Sequence, residues 1–218
     1  MQNKRGMFIV FEGIDGSGKN TQLIKLIEHI EKLDKYQDII KTHEPWKNKE
    51  IKKKIQEDKE AYSDGIQMAK LYVKDRIAHS EEIKNQLDKI YFVLCDRYKM
   101  STCAYQWTQG VDLYRLLKMH ENEKIIQPDL TLFIDISADI ALKRVSKRND
   151  SKEKFEDWKF QKDLVSHYHS LIERQDCKNL FGKVISVNGR GSIDEVAEKV
   201  RNVFYPFYKT WKDKNQNS

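Results

Sequence analysis

Apolar residues along this chain fall either into short continuous runs or into longer stretches with helical spacing. The first run covers residues 7 to 11 and ends at a Gly-rich segment, which is typical of a buried parallel strand. The apolar residues after it, Leu23, Leu26, Ile27 and Ile30, lie three and four positions apart and predict an amphipathic helix. Further strands are predicted at 38 to 42, 91 to 94, 130 to 136 and 183 to 187, and further helices at about 65 to 89, 113 to 124, 138 to 147, 155 to 175 and 192 to 205.

This alternation of strands and helices predicts an α/β fold, in which a five-stranded parallel sheet is flanked by helices on both faces. A chain of 218 residues is close to the size of one domain, and we expect a single domain over residues 1 to 211. The polar residues 212 to 218 are expected to form an unstructured tail. Ligands of such a fold bind beyond the carboxyl ends of the strands.

Composition and charge narrow the class of protein. The chain is rich in lysine and carries a net charge of +6, which suits a phosphorylated small molecule, a nucleic acid or an anionic lipid surface. Acidic residues interrupt the lysines of residues 47 to 59 at helical spacing, which favours a solvated helix face over a DNA-binding surface. The run at residues 7 to 11 is too short to span a membrane. Three cysteines without a C-x-x-C pair favour a reducing cytoplasm over a disulfide framework or a zinc site.

The segment FEGIDGSGKNTQ, residues 11 to 22, contains the pattern G-x-x-x-x-G-K between the first predicted strand and the first helix. In that setting successive backbone N–H groups and the helix N-terminus can hold phosphate oxygens, and Lys19 can reach the β- and γ-phosphates of a nucleotide. The segment therefore predicts an ATP-binding loop made by Gly13, Ile14, Asp15, Gly16, Ser17, Gly18, Lys19, Asn20 and Thr21.

Asn20 occupies the position whose hydroxyl normally reaches Mg²⁺. An amide oxygen is also a hard neutral ligand, so coordination can survive, although the larger side chain must fit the same geometry. Thr21 is a poorer substitute because consecutive residues point about 100° apart around a helix. Our hypothesis is that Asn20 weakens the magnesium site without abolishing it.

Three further stretches follow the loop in order: LYVKDRIAHSEEI (71 to 83), CDRYKMSTCAYQ (95 to 106) and QPDLTLFIDISADIALKR (127 to 144). With the loop and SVNGRGSIDEVAEKV (186 to 200), they make nearly the whole chain closely similar to the thymidylate (dTMP) kinases of the P-loop nucleoside monophosphate kinase group. The resemblance implies a three-layer P-loop kinase fold with a short lid at about 146 to 157. It also implies transfer of the γ-phosphoryl group of MgATP to dTMP, giving ADP and dTDP for dTTP biosynthesis, and a homodimer.

The resemblance places the base of the acceptor nucleotide against Tyr72 and Arg76, which are four residues apart and project from one helix face. In the family the aromatic residue stacks on thymine and the arginine bonds the edge of the base. Without the resemblance, a core tyrosine and a surface arginine would explain the same pair.

Asp96 and Arg97 come directly after a predicted strand, at its carboxyl end. By resemblance, Arg97 holds the monophosphate of the acceptor and Asp96 helps to hold magnesium through water, and a buried ion pair is the competing explanation. Thr102 and Tyr105 match family positions that border the base and sugar of the acceptor, where Tyr105 disfavours a ribose 2′-hydroxyl. Gln106 matches a position in the same site.

Asp15 is an acidic residue beside the predicted phosphates, and by resemblance its carboxylate accepts the 3′-hydroxyl of the acceptor sugar. Some family members follow this acid with an arginine, where this chain has Gly16, and such members supply arginines from the lid instead. Arg144, Lys147 and Arg148 are placed for that role, with Arg148 favoured, and Arg144 is also predicted to bind ATP. A basic helix end favoured by the helix dipole explains the cluster as well.

Tyr168 allows two interpretations, and the chain differs from the family at residues 43 to 47 and at Trp107. Tyr168 matches a tyrosine near a nucleotide base, but a core position on a helix face fits equally well. After the second strand, residues 43 to 47 read HEPWK and contain no arginine for the acceptor phosphate, so that Lys47 or Lys52 would have to substitute as a point charge. Trp107 stands where a glycine is common.

Three alternatives to a thymidylate kinase remain. A related P-loop kinase could act on another nucleotide or on a nucleoside, such as dUMP in place of dTMP. A basic P-loop ATPase could bind nucleic acid, although the sequence offers no second domain to move. A catalytically weak descendant could serve as a binding module, an idea that Asn20 and the altered segment at 43 to 47 keep open.

Overall fold

A computed structural model of the chain describes residues 4–57, 64–146, 158–177 and 179–216. Within these residues the strands form one sheet in which every paired strand runs parallel to its neighbour. All five predicted strands are confirmed, with ends that shift by at most two residues: β1 (Phe8–Glu12), β2 (Ile39–His43), β3 (Phe92–Asp96), β4 (Leu130–Asp135) and β5 (Lys183–Asn188). Their order across the sheet is β2-β3-β1-β4-β5.

Helices connect the strands and cover both faces of the sheet, so the predicted α/β class with three layers is confirmed. None of the helices in the described ranges combines the length and the apolar character needed to cross a bilayer. The helices are α1 (Lys19–Leu33), α2 (Lys49–Glu57), α3 (Gly65–Asp88), α4 (Lys99–Thr108), α5 (Leu113–His120), α6 (Ala138–Ser146), α7 (Trp158–Glu173) and α8 (Ile193–Gln216), with a 3-10 turn at Gln175–Cys177.

The central strand β1 is buried at all its positions, because both of its faces are covered. Ile9 and Phe11 pack on the side of α1 and α8, whereas Phe8 and Val10 pack on the side of α3. A strand in this environment needs apolar residues at consecutive positions, which is why the run at residues 7 to 11 does not alternate with polar residues. The sheet is thereby held rigidly between two helical layers, and its carboxyl edge can position functional groups.

Two helices differ from the expectations of the sequence. The helix α4 was not predicted, because its apolar residues are interleaved with small and polar ones rather than arranged in one stripe. The helix α8 continues to Gln216, so the expected unstructured tail is wrong for residues 212 to 216. Trp211 explains this extension, because its indole N–H donates to the carbonyl of Arg5 at 2.7 Å and its ring packs edge-on against Phe92 with centroids 4.6 Å apart.

Candidate active site

The carboxyl ends of two neighbouring strands, β1 and β3, lie side by side at one edge of the sheet. β1 ends at Glu12, β3 ends at Asp96, and the register of the two strands pairs Phe11 with Asp96. The loop that follows β1 and the turn that follows β3 therefore begin side by side. This is the edge at which ligands of open α/β sheets bind, and the predicted site residues gather there.

The loop after β1 is shaped by glycines and leads into the N-terminus of α1. Gly16 and Gly18 have φ angles of 81° and 90°, in the left-handed region that favours glycine. A Cβ atom on Gly16 would lie 2.5 Å from the carbonyl oxygen of Ala141, which leaves no room for a side chain. In the described part of the chain no side chain caps α1 at Gly18. The N–H groups of the first helical turn are thus available to an anion, as a phosphate-binding loop requires.

Arg144, in the last turn of α6, braces this loop from outside. Its Nη1 atom donates to the carbonyl oxygens of Ser17 at 3.2 Å and Gly16 at 3.4 Å, and its Nη2 atom donates to the carbonyl oxygen of Gly189 at 3.0 Å. The guanidinium group joins the loop to the turn after β5. Arg144 therefore lies beside the predicted ATP-binding loop, and its contact with ATP itself stays a prediction.

Four predicted residues meet at the mouth of the loop, around the carboxylate of Asp15. Asp15 accepts hydrogen bonds from Lys19 Nζ at 3.3 Å, from the Tyr105 hydroxyl at 3.1 Å and from Arg97 Nη2. Partial burial would raise the pKa of Asp15, but the charges of Arg97 and Lys19 outweigh it and hold that pKa below its ordinary value. The side chain of Asp15 is 41% exposed, so a ligand can reach this ionised carboxylate.

Arg97 is directed back to the loop by an unusual backbone conformation. Its φ angle of 69° lies in the left-handed region, which is uncommon for a residue with a side chain. The N–H group of Arg97 donates to the carbonyl of Phe11 at 2.9 Å, which continues the pairing of β1 and β3 by one residue. Arg97 Nη1 then donates to the carbonyl of Gly13 at 3.3 Å. Residues held in such conformations are concentrated at functional sites.

A buried carboxylate that the sequence analysis missed supports Arg97. Glu12 is fully buried and accepts hydrogen bonds from the backbone N–H groups of Tyr98 at 2.8 Å and Ser101 at 3.1 Å. It also accepts from Ser101 Oγ at 2.6 Å, and that hydroxyl in turn accepts from Arg97 Nη1 at 3.2 Å. Burial raises the pKa of Glu12. Glu12 thus caps α4 and links it to the arginine; a charged residue inside an apolar strand is the sequence signal that could have identified it.

Tyr168 lies beneath the site rather than on its surface. The residue is fully buried, and its ring stacks on Phe133 with centroids 5.0 Å apart. Its hydroxyl lies 3.0 Å from Ser101 Oγ and donates to Glu12 Oε2 at 3.1 Å. In this arrangement the hydroxyl is engaged by the groups that support Arg97. Tyr168 thus occupies the core position that the sequence also allowed, and its contact with substrate stays a prediction.

The groups suited to a magnesium ion lie between the loop and β3. Asp96 has a buried carboxylate oxygen, Oδ1, and Ser17 has a buried hydroxyl, and neither has a hydrogen-bond partner among the described residues. Asn20 is exposed in the first turn of α1. The described residues contain no cluster of three His, Cys, Asp or Glu side chains that could hold a metal by themselves. This donor set fits Mg²⁺, a hard cation that takes oxygen ligands and completes its shell with water and nucleotide phosphates.

The residues predicted to surround the acceptor base lie on α3 and α4. Burial raises the pKa of the Tyr72 hydroxyl to about 12, and the positive charges of Arg97 and Arg76 both act on it in the opposite direction. Thr102 Oγ1 accepts a hydrogen bond from Arg76 Nη2 at 2.9 Å. Gln106 has a buried Oε1 atom with no partner among the described residues. The site therefore holds acceptors and donors close to an aromatic ring, as recognition of a base requires.

Arg76 is buried and is held by side chains from several elements, so it is not the surface charge considered as an alternative. Its Nε and Nη2 atoms both donate to Glu44 Oε2, at 2.8 and 2.5 Å. Nη2 also donates to the carbonyl of Tyr98 at 3.1 Å, and Nη1 lies 2.5 Å from His120 Nε2. The sequence analysis missed Glu44 and His120. Neither belongs to a local pattern, because each meets Arg76 only in the folded chain.

The segment after β2 lacks the arginine that is common there in the family. It is held in place by Asp75, a residue of α3. Asp75 accepts hydrogen bonds from the backbone N–H groups of residues 46 to 48, at 2.5 to 3.1 Å. Lys47 Nζ lies 3.9 Å from the centre of the Trp46 ring, in a cation–π contact. The ammonium group of Lys47 is thus engaged by an indole, and the side chain of Lys52 lies outside the described part of the structure.

The structure brings most of the predicted site residues together at this edge of the sheet, and the roles given to them stay predictions. Arg148, Lys147 and the lid from residue 147 onward lie outside the described residues. The residues that gather around the loop and the tip of β3 are Gly13, Ile14, Asp15, Gly16, Ser17, Gly18, Lys19, Asn20, Thr21, Asp96, Arg97, Tyr105 and Arg144, and those on the acceptor side are Tyr72, Arg76, Thr102 and Gln106.

This combination of a parallel sheet, a glycine-shaped loop at a helix N-terminus and converging cations defines a P-loop phosphotransferase. The family model described as thymidylate kinase matches residues 11–200. The chain therefore belongs to the thymidylate kinase family.

Curated relatives agree over nearly their full lengths. The thymidylate kinase of Caldicellulosiruptor saccharolyticus is 32% identical over 210 residues, which cover 91% of this chain and 96% of that protein. The thymidylate kinase of a Sulfurihydrogenibium species is 36% identical over 202 residues, covering 88% and 93%. The probable thymidylate kinase of Methanococcus maripaludis is 36% identical over 204 residues, covering 89% and 93%.

Proposed function

We propose that this protein transfers the γ-phosphoryl group of ATP to the 5′-phosphate of dTMP and so produces ADP and dTDP. An oxygen of the dTMP phosphate attacks the γ-phosphorus, and the bond between that phosphorus and the bridging oxygen to the β-phosphate breaks. The observation that carries this proposal is the convergence of Lys19 from the loop and Arg97 from the tip of β3 on Asp15. The two cations stand where two anionic nucleotides would meet.

On the donor side, the N–H groups of the loop and of the first turn of α1 hold the phosphates of ATP. Lys19 is 7% exposed, and burial together with the charge of Arg97 lowers the pKa of its ammonium group. A bound phosphate favours the charged form and offsets this effect, because it supplies the opposite charge. Arg144 keeps the loop in shape through the carbonyls of Gly16 and Ser17.

On the acceptor side, Arg97 holds the monophosphate of dTMP through its planar guanidinium group. Before substrate binds, the same group is paired with Asp15 and supported by Ser101. Asp15 then accepts the 3′-hydroxyl of the acceptor sugar, and Tyr105, which donates to Asp15 at 3.1 Å, lies against that sugar. Tyr72 and Arg76 recognise the base, with Thr102 and Gln106 beside them.

Mg²⁺ is the cofactor that we propose, and Asp96 and Asn20 are the residues that would hold it, Asp96 through water. The bound ion would supply neutralisation of the negative charge on the transferring phosphates. This chain's own residues align the two nucleotides and exclude water, and we assign Arg148 of the lid to the transferring phosphoryl group.

Four further properties belong to the proposal. Residues 1 to 211 act as one P-loop kinase domain with a lid at about 146 to 157. The protein works as a homodimer, as the family resemblance implies. It acts in the cytoplasm, a proposal supported by its three buried cysteines, which form no disulfide among the described residues. Its partners are nucleotides rather than membranes or nucleic acid.

Single-turnover transfer from ATP to dTMP tests this function. The natural chain is expected to form dTDP, whereas Lys19→Ala and Arg97→Ala are each expected to slow the transfer by at least about 100-fold. Parallel reactions with dUMP, other monophosphates and nucleosides establish the acceptor. A clear preference for a nucleoside would overturn the assignment, and so would two variants that react as fast as the natural chain.

A further inference from the structure

His120 contacts the arginine that is proposed to recognise the acceptor base, although it comes from a helix that the site otherwise does not use. It is the last residue of α5 and is 1% exposed. Its Nε2 atom lies 2.5 Å from Arg76 Nη1, and its Nδ1 atom lies 2.7 Å from the carbonyl of Leu116, one turn earlier in the same helix. The imidazole therefore bridges the backbone of α5 and the guanidinium of Arg76.

The protonation of this imidazole follows from its two short contacts, and the sulfur of Cys103 lies further away, 3.7 Å from Nδ1. The guanidinium of Arg76 can only donate hydrogen bonds, so Nε2 must be the acceptor. The carbonyl of Leu116 can only accept, so the proton must be on Nδ1. A protonated imidazole would turn a donor towards Arg76, and burial and the charge of that arginine lower the pKa of His120 well below its ordinary value. The neutral Nδ1–H form is the one that satisfies both contacts.

The contact supplies a partner for the one nitrogen of the Arg76 guanidinium that the other residues do not engage. Nε and Nη2 are already used by Glu44, the carbonyl of Tyr98 and Thr102. Nη1 has one hydrogen directed to His120, and its second hydrogen has no acceptor among the described residues. Without His120, Nη1 would be a buried donor with no partner among the described residues, which would make this placement of the Arg76 side chain less stable.

We propose that His120 is a positioning residue for acceptor recognition, which orients Arg76 by accepting a hydrogen bond from Nη1 and so presents the remaining Nη1 hydrogen to the base. This inference rests on the proposed role of Arg76. It predicts that a change at His120 weakens binding of the acceptor nucleotide and leaves binding of ATP unaffected, since the P-loop lies at a different part of the site.

Glutamine and asparagine form a matched pair of substitutions at this position. The side-chain amide of glutamine extends about as far as Nε2 of histidine, and that of asparagine only about as far as Nδ1. His120→Gln can therefore still accept from Arg76, whereas His120→Asn can only bond the carbonyl of Leu116. Comparing the two separates the contact with Arg76 from the support of α5.

The experiment measures steady-state KM values for dTMP and ATP, and the equilibrium Kd for dTMP without ATP. For His120→Asn we expect KM and Kd for dTMP to rise about tenfold, the effect of one charge-assisted hydrogen bond, and KM for ATP to stay within about twofold. For His120→Gln we expect both nucleotides to bind within about threefold of the natural chain. Nitrogen NMR of the natural protein is expected to find the proton of His120 on Nδ1, and this readout needs no variant.

Arg76→Lys and the double variant distinguish the possible failures. If the natural chain does not phosphorylate dTMP, the proposed function is wrong. If Arg76→Lys leaves KM for dTMP unchanged, the base role of Arg76 is wrong. The His120 proposal is overturned if Arg76→Lys raises that KM but His120→Asn does not. It is also overturned if the effect of His120→Asn persists in full in the Arg76→Lys background, or if NMR finds the proton on Nε2.

Discussion

Asp15 and Arg97 form an ion pair across the mouth of the phosphate-binding loop, although 82 positions separate them in the sequence. The pair joins the loop after β1 to the tip of β3, which are adjacent strands of the sheet. The pair keeps the guanidinium group of Arg97 in a defined place and provides it with an anionic partner. A phosphate that enters the site can then take over Arg97, while Asp15 stays ionised and can accept a hydroxyl.

Neutralising the carboxylate is our first prediction. Asp15→Asn removes the negative charge that orients Arg97. It also replaces one of the two carboxylate oxygens, which accept hydrogen bonds, by an NH2 group, which donates them. We expect kcat/KM for dTMP to fall by at least about 100-fold, because both the acceptor phosphate and the sugar lose their alignment. A coupled assay of ADP release measures this. Tyr105→Phe is the control, since it leaves the carboxylate charged and removes only the hydroxyl that donates to Asp15 and accepts from Arg97, and its loss should be about tenfold. Equal rates for Asp15→Asn and the natural chain would contradict the assignment.

Tyr168→Phe tests whether the tyrosine beneath the site touches substrate. The variant keeps the stack on Phe133 but loses the hydroxyl that bonds Glu12 and Ser101. We expect the free energy of unfolding to fall by about 1 to 3 kcal/mol, as for a buried hydrogen bond to a charged group, with KM for dTMP within about twofold of the natural value. Urea denaturation and steady-state kinetics measure the two quantities. A KM that rises about tenfold at unchanged stability would instead support the direct contact predicted from the sequence.

The frame of the fold could be predicted from the sequence because its signals are local. The continuous apolar run at residues 7 to 11 and the spacing of Leu23, Leu26 and Ile30 each reflect an environment that a single element experiences. The helix α4 could not be predicted in this way. The first N–H groups of α4 are capped by Glu12, which belongs to β1. The sequence of α4 itself contains no sign of that contact.

The residues of the candidate site also fall into those that local motifs predict and those that only the folded chain brings together. Lys19 and Arg97 stand in motifs whose spacing carries the chemistry, so their meeting at Asp15 could be anticipated. Glu44 and His120 could not, because each lies in a separate element and has a role only through Arg76. Motifs thus identify the groups proposed to touch substrate, whereas the residues proposed to orient those groups come together only through tertiary packing.

Asn20→Ser addresses the unusual residue of the loop. A serine hydroxyl is smaller than the asparagine amide and lies where P-loops usually supply a ligand to Mg²⁺. We expect the Mg²⁺ concentration for half-maximal rate to fall by about threefold or more in this variant, and to rise in Asn20→Ala, which has no oxygen to offer. Titration of the rate with Mg²⁺ at saturating nucleotides measures both. If all three proteins respond to Mg²⁺ alike, Asn20 does not act on the metal.

Lys99 is a buried cation in the first turn of α4, where the charges of Arg76 and Glu44 act on it. It is 4% exposed, and burial, together with the positive charge of Arg76, lowers its pKa from 10.5 to about 8. The unfolded chain therefore binds a proton at this residue more readily than the folded chain does. Stability rises with pH wherever the unfolded state binds more protons, so this group destabilises the fold fully below its folded pKa and not at all above its unfolded one.

Lys99→Met should remove that pH-dependent cost. Near neutral pH we expect the variant to be more stable than the natural chain by up to about 3 kcal/mol, since each unit of pKa shift corresponds to about 1.4 kcal/mol. The difference should shrink as pH rises from about 8 towards 10.5, where the lysine becomes neutral in both states. Urea denaturation across this range measures it, and the comparison cancels the titration of all other groups. A stability difference that stays constant with pH would show that the lysine keeps its ordinary pKa in the folded protein.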